Sequence, residues 1–169
     1  VIEKPPSVRF ARPDDVIPLY EMLIEKWEVS MLAKYIPYDP FVVMELAEAA
    51  INRTGGWIVG ICEDAHGPVG TIGLQPDRWW WTRDCWFHFQ RWLFVKRRGH
   101  GKGYRQDLFQ FGEWCRQRME HDIAAAGDPR PFATEFSYLA SDHLDARDRV
   151  WSKWGKKSGS IFIAGIPAE

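Results

Sequence analysis

The chain has little cysteine, no long apolar run and no excess charge of either sign. Its three cysteines, Cys62, Cys85 and Cys115, are widely spaced and form no C-x-x-C pair. An odd, scattered set excludes a disulfide framework and offers no zinc spacing, and it suits reduced thiols in a cytoplasmic setting. No stretch approaches the roughly 20 apolar residues of a membrane span, and the N-terminus shows no signal-peptide pattern. Lys and Arg number 22 against 23 Asp and Glu. That balance gives no general drive toward nucleic acid or a membrane surface. Internal repeats and low-complexity tracts are absent. So are motif-grade Ser/His/Asp or Cys/His nucleophile systems and any His/Cys/Asp spacing that indicates a metal.

What is present is apolar and aromatic. A length of 169 residues suits one domain, residues 1–169, and an apolar fraction of 46% excludes disorder. Ten residues are tryptophan, five of them between Trp79 and Trp92. Consecutive tryptophans in a strand point to both faces, so one face of Trp79-Trp80-Trp81 is exposed or covered by a partner.

Residues 1–6 read as a loose end and Val8–Ala11 as a first strand. Arg12-Pro13-Asp14-Asp15 starts a helix with Val16, Leu19, Tyr20, Leu23 and Trp27 on one face, and Pro18 is tolerated in its first turn. Glu28–Pro40 is a connection. Phe41–Asn52 is a second helix, ended by Gly55-Gly56. Trp57–Cys62 and Val69–Leu74 form a hairpin around a loop of moderate length, Glu63 to Pro68. Gln75–Cys85 is a tryptophan-rich turn, and Trp86–Val95 is the next strand. Tyr104, Leu108, Phe111, Cys115 and Met119 then recur at helical spacing, in a helix that runs to about Ala126. Phe132–Leu139 is a strand. Ser141 or Asp142 caps a last helix through Trp154, and Ser160–Ile166 is a last strand.

Between the Trp86–Val95 strand and the long helix lies Arg98-Gly99-His100-Gly101-Lys102-Gly103. Alternating glycines let a chain turn tightly and approach a ligand without Cβ obstruction. Amides at a helix N-terminus favour an anion, and Lys96, Arg97, Arg98 and Lys102 add full charges. The third-glycine spacing does not fit the dinucleotide fingerprint, and no G-K-[ST] follows as a P-loop requires. What remains is R-x-x-G-x-G, a pyrophosphate cradle or a plain structural turn.

This pattern resembles the signature of the GNAT superfamily of acyl-CoA-dependent N-acetyltransferases, with Arg98, Gly101 and Gly103 at its three defining positions. "VRFARPDD" resembles the family's opening, and the element order β-α-α-β-β-β-α-β-α-β is similar over nearly the whole chain. The family usually carries about two more residues between the strand valine and the arginine. The resemblance implies a single α/β domain (mixed α+β), with a twisted mixed β-sheet carrying helices on both faces. It implies acetyl-CoA as cofactor, with the diphosphate held by Arg98, Gly99, His100, Gly101, Lys102 and Gly103. The pantetheine arm would pair with the main chain of Leu93, Phe94 and Val95. The activity implied is transfer of an acetyl group to a primary amine by direct attack.

That attack needs a base for the incoming ammonium. Strand alternation places Trp86, His88, Gln90, Trp92 and Phe94 on one face, so His88 is one candidate. Glu135, amid apolar residues in the next strand, is the other. The alternative for each is structural: a hydrogen-bonded histidine and an edge-facing glutamate. The family's usual tyrosine acid is missing. Alignment on Gly155 puts Trp151 there with Leu144 at the asparagine position; alignment on Ala146 gives Val150 and His143. Indole has no titrating proton to give. The acceptor, a small-molecule or protein amine, would meet Tyr35, Tyr38, Trp79 and Trp81, where aromatics with nearby carboxylates suit a cationic or amphipathic amine. Those tryptophans equally suit a covered sheet edge or a homodimer interface. Two other readings stay open: a GNAT-fold binding module with little catalysis, and a nucleic-acid-modifying protein that stacks bases on its tryptophans, against which the neutral charge argues.

Overall fold

The computed structural model describes residues 2–30, 33, 36–78, 86–128 and 132–135, without the side chains of 77–78, 86–89 and 132–135. In chain order the elements are β1 (Val8–Phe10), α1 (Val16–Glu28), α2 (Pro40–Ile51), β2 (Ile58–Asp64), β3 (Gly67–Arg78), β4 (Trp86–Val95), α3 (Tyr104–Ala125) and β5 (Phe132–Glu135). The sheet order is β1-β2-β3-β4-β5. Its first three pairings are antiparallel and β4–β5 is parallel. The sheet is therefore mixed, as expected, and the eight elements follow the expected order. The expected helix through Trp154, the strand Ser160–Ile166 and the end of the fifth strand beyond Glu135 lie outside the described residues.

Local chemistry sets the helix limits. A 3-10 turn, Pro13–Asp15, leads into α1, and the Asp15 carboxylate accepts the Arg12 N–H at 2.7 Å. At α2 the Asp39 carboxylate accepts the Phe41 N–H at 2.8 Å, and Pro40 takes the first helical position, where no N–H is needed. Gly103 opens α3 and Gly127 closes it, both at positive φ (83° and 85°) that a side chain would strain.

Strict alternation along β2 divides the core. Ile58 and Cys62 face α3 together with Leu108, Phe111 and Cys115. Val59 and Ile61 face Leu19 and Met22 of α1 and Ala47, Ala50 and Ile51 of α2. Helices thus cover both faces. Gly60 is glycine because the Phe111 ring lies on it; a Cβ there would come within 2.8 Å of that ring.

Two expectations are corrected. The β2–β3 hairpin has a two-residue loop, Ala65-His66, rather than a loop from Glu63 to Pro68. Glu63 and Asp64 stay in the strand, where Glu63 pairs with Arg9 and Asp64 with Arg98. The start of the chain is not loose. The Ile2 N–H donates to Gln117 Oε1 (3.0 Å), Gln110 Nε2 donates to the Glu3 carbonyl (3.1 Å) and Ser7 Oγ donates to Asp107 (2.6 Å), all on α3.

Candidate functional site

Strand β4 delivers the chain to the glycine run, and its register is broken midway. Gly73 of β3 pairs with Trp92, but the next residue, Leu74, pairs with Gln90, so Arg91 is an extra residue in a bulge. Trp92 and Phe94 pack on the α1/α2 side. Gln90 sits opposite Leu74, which belongs to the α3 side, and cross-strand partners share a face. The alternation that grouped Gln90 with Trp92 therefore fails at Arg91, and counting from Trp92 does not carry through to His88. The signal for this bulge was Gly73, an isolated glycine inside a strand pattern.

Among the described residues, no strand pairs with the outer edge of β4 at its end. The Lys96 N–H donates to the Val69 carbonyl at 2.8 Å, and Gly70 pairs with Val95, Thr71 with Phe94 and Gly73 with Trp92. Antiparallel pairs alternate between hydrogen-bonded and not. Phe94 thus turns its N–H and carbonyl toward β3, while Leu93 and Val95 turn theirs away. Among the described residues no strand pairs with β4 beyond Phe89.

The glycine run itself is a 3-10 turn, Arg97–Gly99, followed by two glycines at positive φ, Gly101 (77°) and Gly103 (83°). The Gly99 N–H is bonded to the Lys96 carbonyl, that of His100 to Arg97 and that of Lys102 to Gly99. Among the described residues the amides of Gly101, Gly103 and Tyr104 have no such partner. They lie at the exposed start of a 22-residue helix. A Cβ on Gly101 or Gly103 would meet nothing within 4 Å, so the space beside the loop is open. Gly99 differs: it is buried, and a Cβ would press on Val69 (2.7 Å) and Val95 (2.8 Å). The fit for a diphosphate is therefore main-chain amides, open space and the exposed side chains of Arg97 and Lys102.

The Arg98 side chain is used elsewhere. Its Nε donates to Asp64 Oδ2 at 3.0 Å, and its Nη2 donates to the Pro68 carbonyl at 3.0 Å and the Gly67 carbonyl at 3.3 Å. Arg98 fastens the loop to the β2–β3 hairpin, and its guanidinium beside Asp64, with the His66 N–H, holds that carboxyl below the usual aspartate range. His100 Nε2 lies 3.0 Å from the Val95 carbonyl.

The two base candidates lie on neighbouring strands at the far end of β4. His88 is in register with Pro76 on β3 and Thr134 on β5, and Glu135 pairs with Phe89. Roughly 23 Å of strand separate His88 from Val95. Of the residues expected to meet the acceptor, Tyr38 is exposed, as are Ile36, Phe41 and Val42 close by in the chain. The nearby Asp39 carboxylate is engaged in capping α2. Tyr35, Trp79 and Trp81 lie outside the described residues.

No family model and no curated protein matches the chain. Solved structures do. A possible acetyltransferase from Clostridium difficile 630 superposes with a TM-score of 0.62 at 13% identity, over 95% of this chain and 97% of its own. The aminoglycoside antibiotic 6'-N-acetyltransferase from Acinetobacter haemolyticus gives 0.57 at 10% identity, over 96% and 99%. AAC(6')-Iy in complex with a bisubstrate analog, CoA-S-monomethyl-acetylneamine, gives 0.55 at 8% identity, over 95% and 97%. At these identities the likeness establishes the fold alone: the chain has a GNAT-like fold, shared with these solved structures.

Proposed function

We propose that the chain is an acetyl-CoA-dependent N-acetyltransferase that acts on a primary amine. The observation that carries this reading is the cluster of Gly101, Gly103 and Tyr104 amides, which have no main-chain partner among the described residues, next to the outer edge of β4, which no described strand covers beyond Phe89. A helix N-terminus with open main-chain donors suits a diphosphate, and a sheet edge suits an extended amide-bearing arm. Acetyl-CoA brings both groups on one molecule and supplies an acetyl group activated as a thioester.

The chain's own tasks are positional and electrostatic. Gly101, Gly103 and Tyr104 hold the diphosphate by main-chain N–H groups, aided by the charges of Arg97 and Lys102. Arg98 acts by fixing the loop to the hairpin through Asp64. Leu93 and Val95 present main-chain groups to the arm. His88 and Glu135 are the groups proposed to take the ammonium proton, directly or through water. Tyr38 stands on the acceptor side with Tyr35, Trp79 and Trp81. Solved neighbours named as aminoglycoside acetyltransferases support a small-molecule amine as acceptor.

Isothermal titration with acetyl-CoA, followed by thiol release with a panel of amines, tests the reading. Saturable binding that Gly101→Asp abolishes, together with amine-dependent thiol release, is the expected result. Absence of binding removes the proposal. A second reading is a coenzyme-binding module without turnover; it is favoured by Trp151 or Val150 standing where the family's tyrosine is expected. Binding without thiol release selects it.

A further inference from the structure

We propose that His100 is a built-in stand-in for the ligand's arm: its imidazole occupies the main-chain acceptor on β4 that an extended arm would use, and it sets how tightly this chain holds a carrier reaching past its diphosphate. This rests on the acyl-CoA reading above. The register turns the Val95 carbonyl away from β3, toward the edge that no described strand covers. His100 Nε2 lies 3.0 Å from that oxygen. A carbonyl has no proton to give, so Nε2 carries the hydrogen and donates it.

The tight turn makes this contact. Only Lys96 and Arg97 separate Val95 from Arg98, and the 3-10 turn brings residue 100 back over the strand end. The loop has other fastenings. Gly99 bonds Lys96 at 2.8 Å, the His100 N–H bonds Arg97 at 3.1 Å, and the Arg98 guanidinium grips Asp64 and the Pro68 carbonyl. Gly99 is buried against Val69, Val95 and Tyr104. The imidazole is thus not what holds the turn. An arm that pairs with the Val95 carbonyl has to displace it, at the cost of one hydrogen bond.

The test compares two probes, coenzyme A and its nucleotide half, adenosine 3'-phosphate 5'-diphosphate, by calorimetry on the wild-type chain and on His100→Ala. Thermal unfolding of both proteins checks that the variant is folded. The variant is expected to bind coenzyme A about threefold to tenfold more tightly, the worth of one such bond, with the nucleotide half unchanged. In the wild-type chain the Nε2–H signal of His100, seen by nitrogen-edited NMR, is expected to be lost to solvent exchange when coenzyme A is added. Equal coenzyme A binding by variant and wild type, weaker binding of both probes, or an Nε2–H signal that persists in the complex overturns the proposal while the acyl-CoA reading stands. Absence of coenzyme A binding to either protein removes both.

Discussion

The Trp92 indole covers Gly73 on the neighbouring strand, so that a Cβ placed on Gly73 would stand 2.3 Å from the ring. The indole is fixed on both sides. Its Nε1–H donates to Thr71 Oγ1 at 3.2 Å, and its ring stacks on Trp57 at 5.0 Å between centroids. It cannot move away from an added methyl, and the bulge at Arg91 begins at this pair. Gly73→Ala is therefore expected to cost about 1–3 kcal/mol as overpacking. Urea unfolding measures it, and a loss below a few tenths of a kcal/mol would show that the indole has room to shift.

Stability on the acid side rests on Arg9. Its guanidinium bonds both Asp15 oxygens (2.6 and 2.8 Å) and also pairs with Glu63. Burial alone would raise the Asp15 carboxyl; hydrogen bonds from Arg9 and the Arg12 N–H outweigh it, and the net position is below the usual 3.8. The Arg9 bond likewise lowers Glu63. A carboxyl depressed in the folded state contributes stability that is present above its unfolded pKa and is lost as pH falls through the folded value. Unfolding free energy should thus hold down to about pH 4 and fall below it. Arg9→Met leaves Asp15 buried without its partner. It should cost about 3 kcal/mol near neutral pH, and the deficit should shrink as pH falls below about 4, because the variant has no Arg9-depressed carboxyls whose protonation costs stability. Urea midpoints across the pH range read both effects, and an unchanged profile would mean that the pair contributes nothing.

Cys62 on β2 and Cys115 on α3 are buried in one core cluster, and burial pushes both thiols up to about 12. Thiolate is the reactive form, so neither should react with a thiol reagent in the folded protein at mildly alkaline pH. Mass spectrometry after alkylation should show Cys62 and Cys115 unmodified until denaturant is added. Labelling of either before unfolding would mean that the α3 side of the core opens readily.

What the sequence made legible was local. The limits of β4 and α3 were readable because a β-rich run, two glycines at positive φ and a helical repeat mark them within a few residues. Arg98 shows where locality ends. Its charge beside a glycine loop pointed to phosphate, yet the partner of its guanidinium is Asp64, 34 positions away. The N-terminal segment read as loose because its bonds to Asp107, Gln110 and Gln117 span 100 positions or more. The bulge escaped for a related reason. An extra residue in a strand is defined by its partner strand, and alternation counted along β4 alone assigns Gln90 to the face opposite the one it occupies. His88 and Glu135 were found as residue types, and their placement on adjacent strands came only from the β4–β5 register.

The three glycines of the loop separate packing from binding. At Gly99 a Cβ would meet Val69 and Val95 at 2.7 and 2.8 Å, so Gly99→Ala should lower stability by about 1–3 kcal/mol. At Gly101 and Gly103 a Cβ meets nothing, and the obstacle is the positive φ of 77° and 83°. Alanine there strains the backbone by about 1 kcal/mol and turns the amides away from their common direction. Gly101→Ala and Gly103→Ala should therefore weaken coenzyme A binding tenfold or more, a loss above about 1.4 kcal/mol, while the unfolding midpoint falls only slightly. Gly99→Ala should do the reverse, with a lower midpoint and near-normal affinity in the protein that remains folded. Calorimetry and thermal unfolding on the same three samples decide it. If all three variants lose stability and affinity in parallel, the loop amides act only as part of the fold, and the anion site must be sought elsewhere.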